Sequence, residues 1–161
     1  MSKKTKIYLD TSVISHLDAP ETPEKMEDTW RLWEKIRAGA YEVVLSEVVF
    51  DELGGCSASK LGCLLGFLKQ INYDRVDAGG DAEALANKFV ELGILREKSL
   101  DDCLHIAAAL LSGCDIIVSW NFKHIVNAKT IRGAKMIALL DGYRDIMIYS
   151  PSMLLEEADY D

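Results

Sequence analysis

No apolar run in the 161-residue chain approaches the roughly 20 residues that a membrane-spanning helix needs. The amino-terminal Met-Ser-Lys-Lys-Thr-Lys is basic but leads into too few apolar positions before Asp10 to make a signal-peptide core, so the chain reads as cytoplasmic. Proline is scarce, at three residues, and neither a linker-like stretch nor a repeat divides the sequence, so one domain over 1–161 is expected. Cys56, Cys63, Cys103 and Cys114 form no CxxC pair and have no histidines at zinc spacing, which favours buried free thiols. GxGxxG and GxxxxGK[ST] are both absent, which removes nucleotide binding by those loops. Positive charge is short too: 18 Lys and Arg against 26 Asp and Glu leave a net charge of −8. That balance excludes a broad basic surface, so a polyanionic substrate would require a local basic strip or a divalent cation.

Hydrophobic residues make up 49% of the chain, enough for a proper core. Ile7-Tyr8-Leu9 is a short β-favouring run that ends in a lone carboxylate, Asp10, followed by Thr11 and Ser12. Thr22-Pro23 signals a helix start, Met26, Trp30, Trp33 and Ile36 follow at helical spacing, and the tryptophans are expected in the core. Glu42–Ser46 reads as a second strand and Glu47–Leu53 as a helix broken by Gly54-Gly55. A helix over 58–69 should turn Leu61, Leu64, Leu65 and Leu68 inward, residues 71–76 make an extended link, and a further helix spans 81–92. The clearest helix runs from Ser99, its natural N-cap, to Gly113, with Leu100, Cys103, Leu104, Ala107, Ala108 and Leu111 as the buried stripe. Asp115–Ser119 is a strand, 129–141 a helix closed by Gly142, Asp145–Tyr149 a last strand, and Pro151 starts a terminal helix. Strands alternating with helices in this order predict an α/β fold, a mostly parallel central sheet flanked by helices.

The chemistry-bearing candidates stand where strands end or helices begin. Asp10 either caps the following helix or serves as the first catalytic carboxylate. Glu52 shares a helix face with Val48 and Val49 and so needs a partner, unless it is a solvated first-turn acid; Asp51 points with Glu47 to water. Asp102 falls in the first turn of its helix, where an acid is favoured by the helix dipole alone. His105 reads as hydrogen-bonded structure, and Asn121 as either a turn residue or a site residue. Lys123, His124, Lys129, Arg132 and Lys135 form either a basic strip or an ordinary solvated face.

In a parallel sheet Asp10, Glu52, Asp102 and Asn121 would share one rim. Two carboxylates about 5 Å apart at an effective dielectric near 20 oppose one another by roughly 3 kcal/mol, so such a cluster calls for protonation or a cation. All-oxygen ligands suit Mg²⁺ or Mn²⁺.

At these residues the sequence resembles the PIN-domain ribonucleases, especially the VapC-type toxins of toxin–antitoxin pairs. The resemblance runs through Ile7-Tyr8-Leu9-Asp10-Thr11-Ser12, Ser46 with Glu52-Leu53, Asp102-Cys103-Leu104-His105-Ile106-Ala107-Ala108-Ala109, Ile117-Val118-Ser119-Trp120-Asn121 and Ile148-Tyr149-Ser150-Pro151. It implies a single PIN-like domain, RNA cleavage by a water activated on Mg²⁺ or Mn²⁺, an antitoxin partner and a homodimer. Carried over by position, Asp10, Glu52 and Asp102 are the catalytic and metal-binding acids, and Asn121 is the fourth metal position, where the family often has aspartate. Ser12 lies near the metal, and Ser12, Ser119, Lys123 and His124 are candidates for substrate contact. The competing expectation is a non-catalytic PIN-fold module acting through a protein partner, which the negative charge and Asn121 favour. A haloacid-dehalogenase-like phosphatase fits less well, because it wants a second acid where Ser12 stands.

Overall fold

Thr5–Leu9 forms β1, whose last three residues are buried, and it lies at the centre of the sheet. The computed structural model describes residues 3–159; the first two and last two residues of the expected 1–161 domain lie outside the described residues. The chain leaves β1 into the short helix α1 (Thr11–Ser15), a 3₁₀ turn at His16–Asp18, and α2 (Pro23–Arg37). It continues through β2 (Tyr41–Ser46), α3 (Glu47–Leu53), α4 (Ala58–Leu68), β3 (Asp74–Val76) and α5 (Gly80–Glu91). A 3₁₀ turn at Glu97–Ser99 leads into α6 (Leu100–Leu111), followed by β4 (Ile116–Val118), α7 (Ala128–Asp141), β5 (Met147–Tyr149) and α8 (Pro151–Asp159).

The sheet has five strands in the order β3-β2-β1-β4-β5. Every pairing is parallel, with Ile7 opposite both Val43 and Ile116 and Leu9 opposite Val118. Parallel sheets need both faces covered, which explains the unbroken aliphatic runs of the central strands. Side chains alternate across the pleat. Tyr8, Val44, Ile117 and Ile148 join one core with α5, α6 and α7, whereas Ile7, Leu9, Val43, Leu45, Ile116 and Val118 join another with α1 to α4 and α8.

Two helices depart from the expected stripes. Leu65 and Leu111 are 39% and 41% exposed rather than inward. On α4 the Leu64/Leu68 pair, one turn apart, is fully covered, while Leu61 and Phe67 pack half-buried against the same core. On α6 the apolar surface is wider than one stripe: Cys103 and the whole run His105–Leu110 are buried, and Ala107, Ala108 and Ala109 let the helix sit close to its neighbours. Trp33 is buried as expected; Trp30 stays 43% exposed and donates its indole N–H to the Leu17 carbonyl at 2.9 Å. Of the cysteines, Cys103 and Cys114 are buried, Cys56 is half-buried and Cys63 exposed, all as free thiols.

One glycine has a visible packing reason. A Cβ on Gly133 would come within 2.5 Å of the Ile94 side chain, so its absence lets α7 press against the segment after α5. No helix among the described residues is long and apolar enough to cross a membrane.

Candidate active site

The chain runs from β1 to β2 to β3 on one side, then crosses back to place β4 against the other flank of β1. The reversal opens a crevice at the carboxyl ends of β1 and β4, the usual place for ligands in open α/β sheets. Asp10 follows β1 and Ser119 follows β4, and they meet there: the Ser119 hydroxyl donates to Asp10 Oδ2 at 2.6 Å. Ser12 donates to Asp10 Oδ1 at 2.6 Å, and the Val13 backbone N–H to the same oxygen at 3.3 Å. Asp10 is thus both the N-cap of α1 and a buried rim carboxylate. Burial pushes its carboxyl above the ordinary range, against the lowering effects of the His105 charge and its Ser119, Ser12 and Val13 donors.

Ser12 and Ser119 act as struts as well as donors. Ser12 Oγ accepts the Trp120 N–H at 2.9 Å and Ser119 Oγ the Asn121 N–H at 2.9 Å, so the turn after β4 is fastened to the turn after β1. Asn121 in turn donates Nδ2 to Asp102 Oδ1 at 3.2 Å and accepts the His124 N–H on Oδ1 at 2.9 Å. It is a turn residue and a rim residue together. Burial also raises the Asp102 carboxyl; His124 and His105 oppose the shift, while Asp10 and Glu52 add to it.

Glu52 found the partner its position required. His105 Nε2 lies 2.6 Å from Glu52 Oε1, and the Thr11 hydroxyl donates to the same oxygen at 2.8 Å. Burial works to raise this carboxyl, but the His105 bond and charge and the Thr11 hydroxyl outweigh it and leave it lowered. Behind His105, Nδ1 lies 2.6 Å from the Tyr8 hydroxyl, which lies 2.7 Å from Ser46 Oγ. If the imidazole is protonated, both ring N–H groups donate and the Tyr8 hydroxyl donates to Ser46 Oγ. If it is neutral, Ser46 donates to Tyr8, Tyr8 to Nδ1, and Nε2–H to Glu52. Either way no member is left unpaired. Burial disfavours the charged imidazole, yet the Glu52 bond and the charges of Asp10, Glu52 and Asp102 raise His105 overall.

The structure therefore brings Asp10, Asn121, Asp102, Ser12 and Ser119 into one hydrogen-bonded network and links Glu52 to it electrostatically through His105. Lys123 and His124 follow on the Asp102 side. Tyr8, Ser46 and Thr11 lie within motifs that the sequence already marks, but their part in holding Glu52 is seen only here. The available signal was Tyr8 itself, a hydroxyl in an otherwise aliphatic buried strand, which demands a polar partner. Among the described residues no three histidine, cysteine, aspartate or glutamate side chains stand ready to close on one ion. The reason is visible in the bonds: both Asp10 oxygens accept from hydroxyls, Glu52 is turned to His105 and Thr11, and Asp102 accepts from Asn121. By donor chemistry the rim still suits a hard divalent cation, because Asp10 is a buried and Asp102 a half-buried carboxylate, and like charge acts on Asp102 from Asp10 and Glu52. A cavity of about 470 Å³ at the opposite end of the strands, beside Tyr41 and Lys4, gathers no comparable chemistry.

No family profile matches the chain, and no curated protein matches it in sequence. Solved structures do match in fold. A chain of VapBC2 from Rickettsia felis, bound to a DNA fragment from its promoter, superposes with a TM-score of 0.56 at 12% identity, over 91% of this chain and 98% of that one. Mycobacterium tuberculosis VapC20, a sarcin-ricin loop cleaving toxin, superposes with a TM-score of 0.57 at 18% identity, over 73% of this chain and 92% of that one. The architecture is that of a PIN-like α/β domain. Its likeness is to structures of VapC-type toxin systems.

Proposed function

We propose that this protein is a metal-dependent endoribonuclease acting at the β1/β4 rim, the toxin of a toxin–antitoxin pair. The observation that carries the reading is Asp10: a carboxylate buried at the switch point of the sheet, held by two serines 2.6 Å away, with the charges of Asp102 and Glu52 acting on the same His105. VapC20, which shares the fold, is a sarcin-ricin loop cleaving toxin. Asp10, Glu52 and Asp102, with Asn121 as a neutral fourth donor, would hold Mg²⁺ or Mn²⁺. Such an ion supplies a water of lowered pKa and neutralises phosphodiester charge. Ser12 and Ser119 fix the Asp10 rotamer, Asn121 aims Asp102, and the Tyr8–His105 pair holds the Glu52 head at the rim mouth. Lys123 and His124 lie where a substrate phosphate leaving the rim would pass. The partners that follow are an antitoxin protein seated over the rim and a second copy of the chain.

A non-catalytic binding module remains the second reading, favoured by Asn121 and by the fully engaged oxygens of Asp10. Cleavage of a mixed RNA pool with Mg²⁺, Mn²⁺ or EDTA, alongside Asp10→Asn and Asp102→Asn, separates the two. Metal-dependent cuts that both variants abolish are expected. Equal residual cutting by wild type and variants would point to contamination and to the binding module.

A further inference from the structure

A cavity of about 360 Å³ opens between the turn before α6 and the start of α7, lined by Arg96, Lys98, Ser99, Lys123, His124 and Lys129 among others, with no carboxylate in its wall. In a chain of net charge −8 this is an unexpected concentration of one sign. Elsewhere some cations are matched, Arg75 with Glu47, Lys88 with Asp141, Lys135 with Asp145 and Arg144 with Asp115, and others, such as Lys35, Lys60 and Lys69, stand singly among the described residues; what sets this hollow apart is that four cations share one wall without a carboxylate. Arg96, Lys98, Lys123 and Lys129 have no ion-pair partner among the described residues. Like charges around one hollow give it a positive potential, weakened by their exposure but of the sign that draws an anion.

The hollow is also built in register with the rim. Its wall residue Ser99 directly precedes α6, which carries Asp102 in its first turn. Its wall residue His124 donates its backbone N–H to Asn121, whose amide holds Asp102. The start of α7 faces it as well: Asn127 caps that helix by accepting the Thr130 N–H at 3.0 Å, leaving the first-turn N–H groups of Ala128 and Lys129 without an intrahelical acceptor. Gly133 permits the close contact of α7 with Ile94 that draws these two segments together.

We infer that this basic cavity is a phosphate-backbone subsite that receives the strand of a single-stranded RNA on the Asp102 side of the rim. RNA, rather than another polyanion, rests on the nuclease reading above; the subsite itself rests on the unmatched cations and their place beside Asp102. Arg96 and Lys98 enter from the turn before α6, Lys123 and Lys129 from the segment entering α7, so a phosphate in the hollow is contacted from two sides. The rim alone, three acids wide, repels that phosphate. The neighbouring hollow supplies the attraction a protein of this net charge otherwise lacks.

The test uses the full chain in EDTA, so that no cleavage intervenes, and reads the anisotropy of a labelled single-stranded RNA across a salt series. Arg96→Gln/Lys98→Gln/Lys129→Gln is compared with Lys35→Gln/Lys60→Gln/Lys69→Gln, which removes the same charge elsewhere. Wild type and the second variant should bind alike. The cavity variant should bind roughly tenfold to a hundredfold more weakly near 0.1 M salt, with a log–log salt slope smaller by about 2, three contacts at about 0.7 each. If the triple variant melts early, Lys129→Gln alone, at an exposed helix position, should show the same direction of change. Inorganic phosphate and a poly-glutamate peptide of equal charge serve as competitors. Equal loss in both triple variants, unchanged binding in the cavity variant, no measurable RNA binding by wild type, or displacement of RNA by the peptide at equal charge would each overturn the proposal; the last would assign the cavity to an acidic protein segment. Selective loss of binding without any metal-dependent cleavage would keep the subsite and remove the nuclease reading.

Discussion

Asp10→Asn should make the metal-free protein more stable at neutral pH while removing its activity. The substitution is nearly isosteric. Asn Oδ1 can keep the Ser12 and Val13 donors, and Nδ2 can donate to Ser119 Oγ, so the three hydrogen bonds at Asp10 survive in neutral form. Neutralisation weakens them, charge-assisted bonds contributing about 1.5–3 kcal/mol against about 0.5–1.5 for neutral ones. It also removes the cost of burying a carboxylate, which in proteins runs to several kcal/mol per ion. Burial outweighs the donors at Asp10, because its carboxyl is raised. The net should therefore be a gain of about 1 kcal/mol at pH 7.5, a Tm rise of roughly 3 °C for a chain of this size.

The sign with pH follows. A carboxyl whose folded pKa exceeds its unfolded value binds its proton more tightly when folded, so its contribution is complete below the unfolded value near 3.9 and is lost as pH rises through the folded one. Glu52, being lowered, contributes oppositely: its stabilisation is present above its unfolded value and fades as pH falls. Subtracting wild type from Asp10→Asn reports Asp10 together with the His105 and Asp102 groups its charge raises, and because losing that charge acts in the same direction at all three, the difference should grow from pH 4 to pH 7.5. Thermal denaturation in EDTA measures it. A variant less stable than wild type by more than about 1 kcal/mol at pH 7.5 would show that the Ser12 and Ser119 bonds, not desolvation, govern the site.

His105→Phe keeps the ring but removes the bonds to Glu52 and Tyr8, and should cost about 3 kcal/mol, visible as a fall in urea midpoint; an unchanged midpoint would mean the buried chain contributes nothing net. Asn121→Asp replaces the amide donor to Asp102, now 3.2 Å away, with a second carboxylate. It should lower metal-free stability by about 1–2 kcal/mol and tighten Mn²⁺ binding by calorimetry at least severalfold, whereas unchanged affinity would remove Asn121 from the metal position. Gly133→Ala drives a methyl into Ile94 and should destabilise by about 1–3 kcal/mol in the same denaturation assay.

Much of this protein is readable along the chain. Aliphatic runs too short for helices marked β1, β2 and β4, helical spacing marked α2 and α6, and both are local properties of backbone and side-chain periodicity. A carboxylate directly after a buried strand, as at Asp10, or an amide in the turn that follows one, as at Asn121, is equally local. The inward faces were less legible: Leu65 and Leu111 satisfy a helical stripe, but whether such a residue is covered depends on how wide a surface the neighbouring elements present.

What only the tertiary structure decided is which of these groups meet. Ser119 bonds Asp10 across 109 residues because the crossover places β4 beside β1, an outcome of strand order that no window of sequence contains. Tyr8, His105 and Glu52 come from a strand and two helices, and the bonds that make them one chain exist only when α6 packs on the Tyr8 face of the sheet and α3 packs against α6. The basic residues were regrouped in the same way. Lys135, a member of the expected strip, is taken by Asp145, while Arg96 and Lys98 arrive from another segment to face Lys123 and Lys129. Local spacing sets which residues a strand end or helix face can offer; the packing of distant elements sets the charges they stand beside, and so the chemistry they can perform.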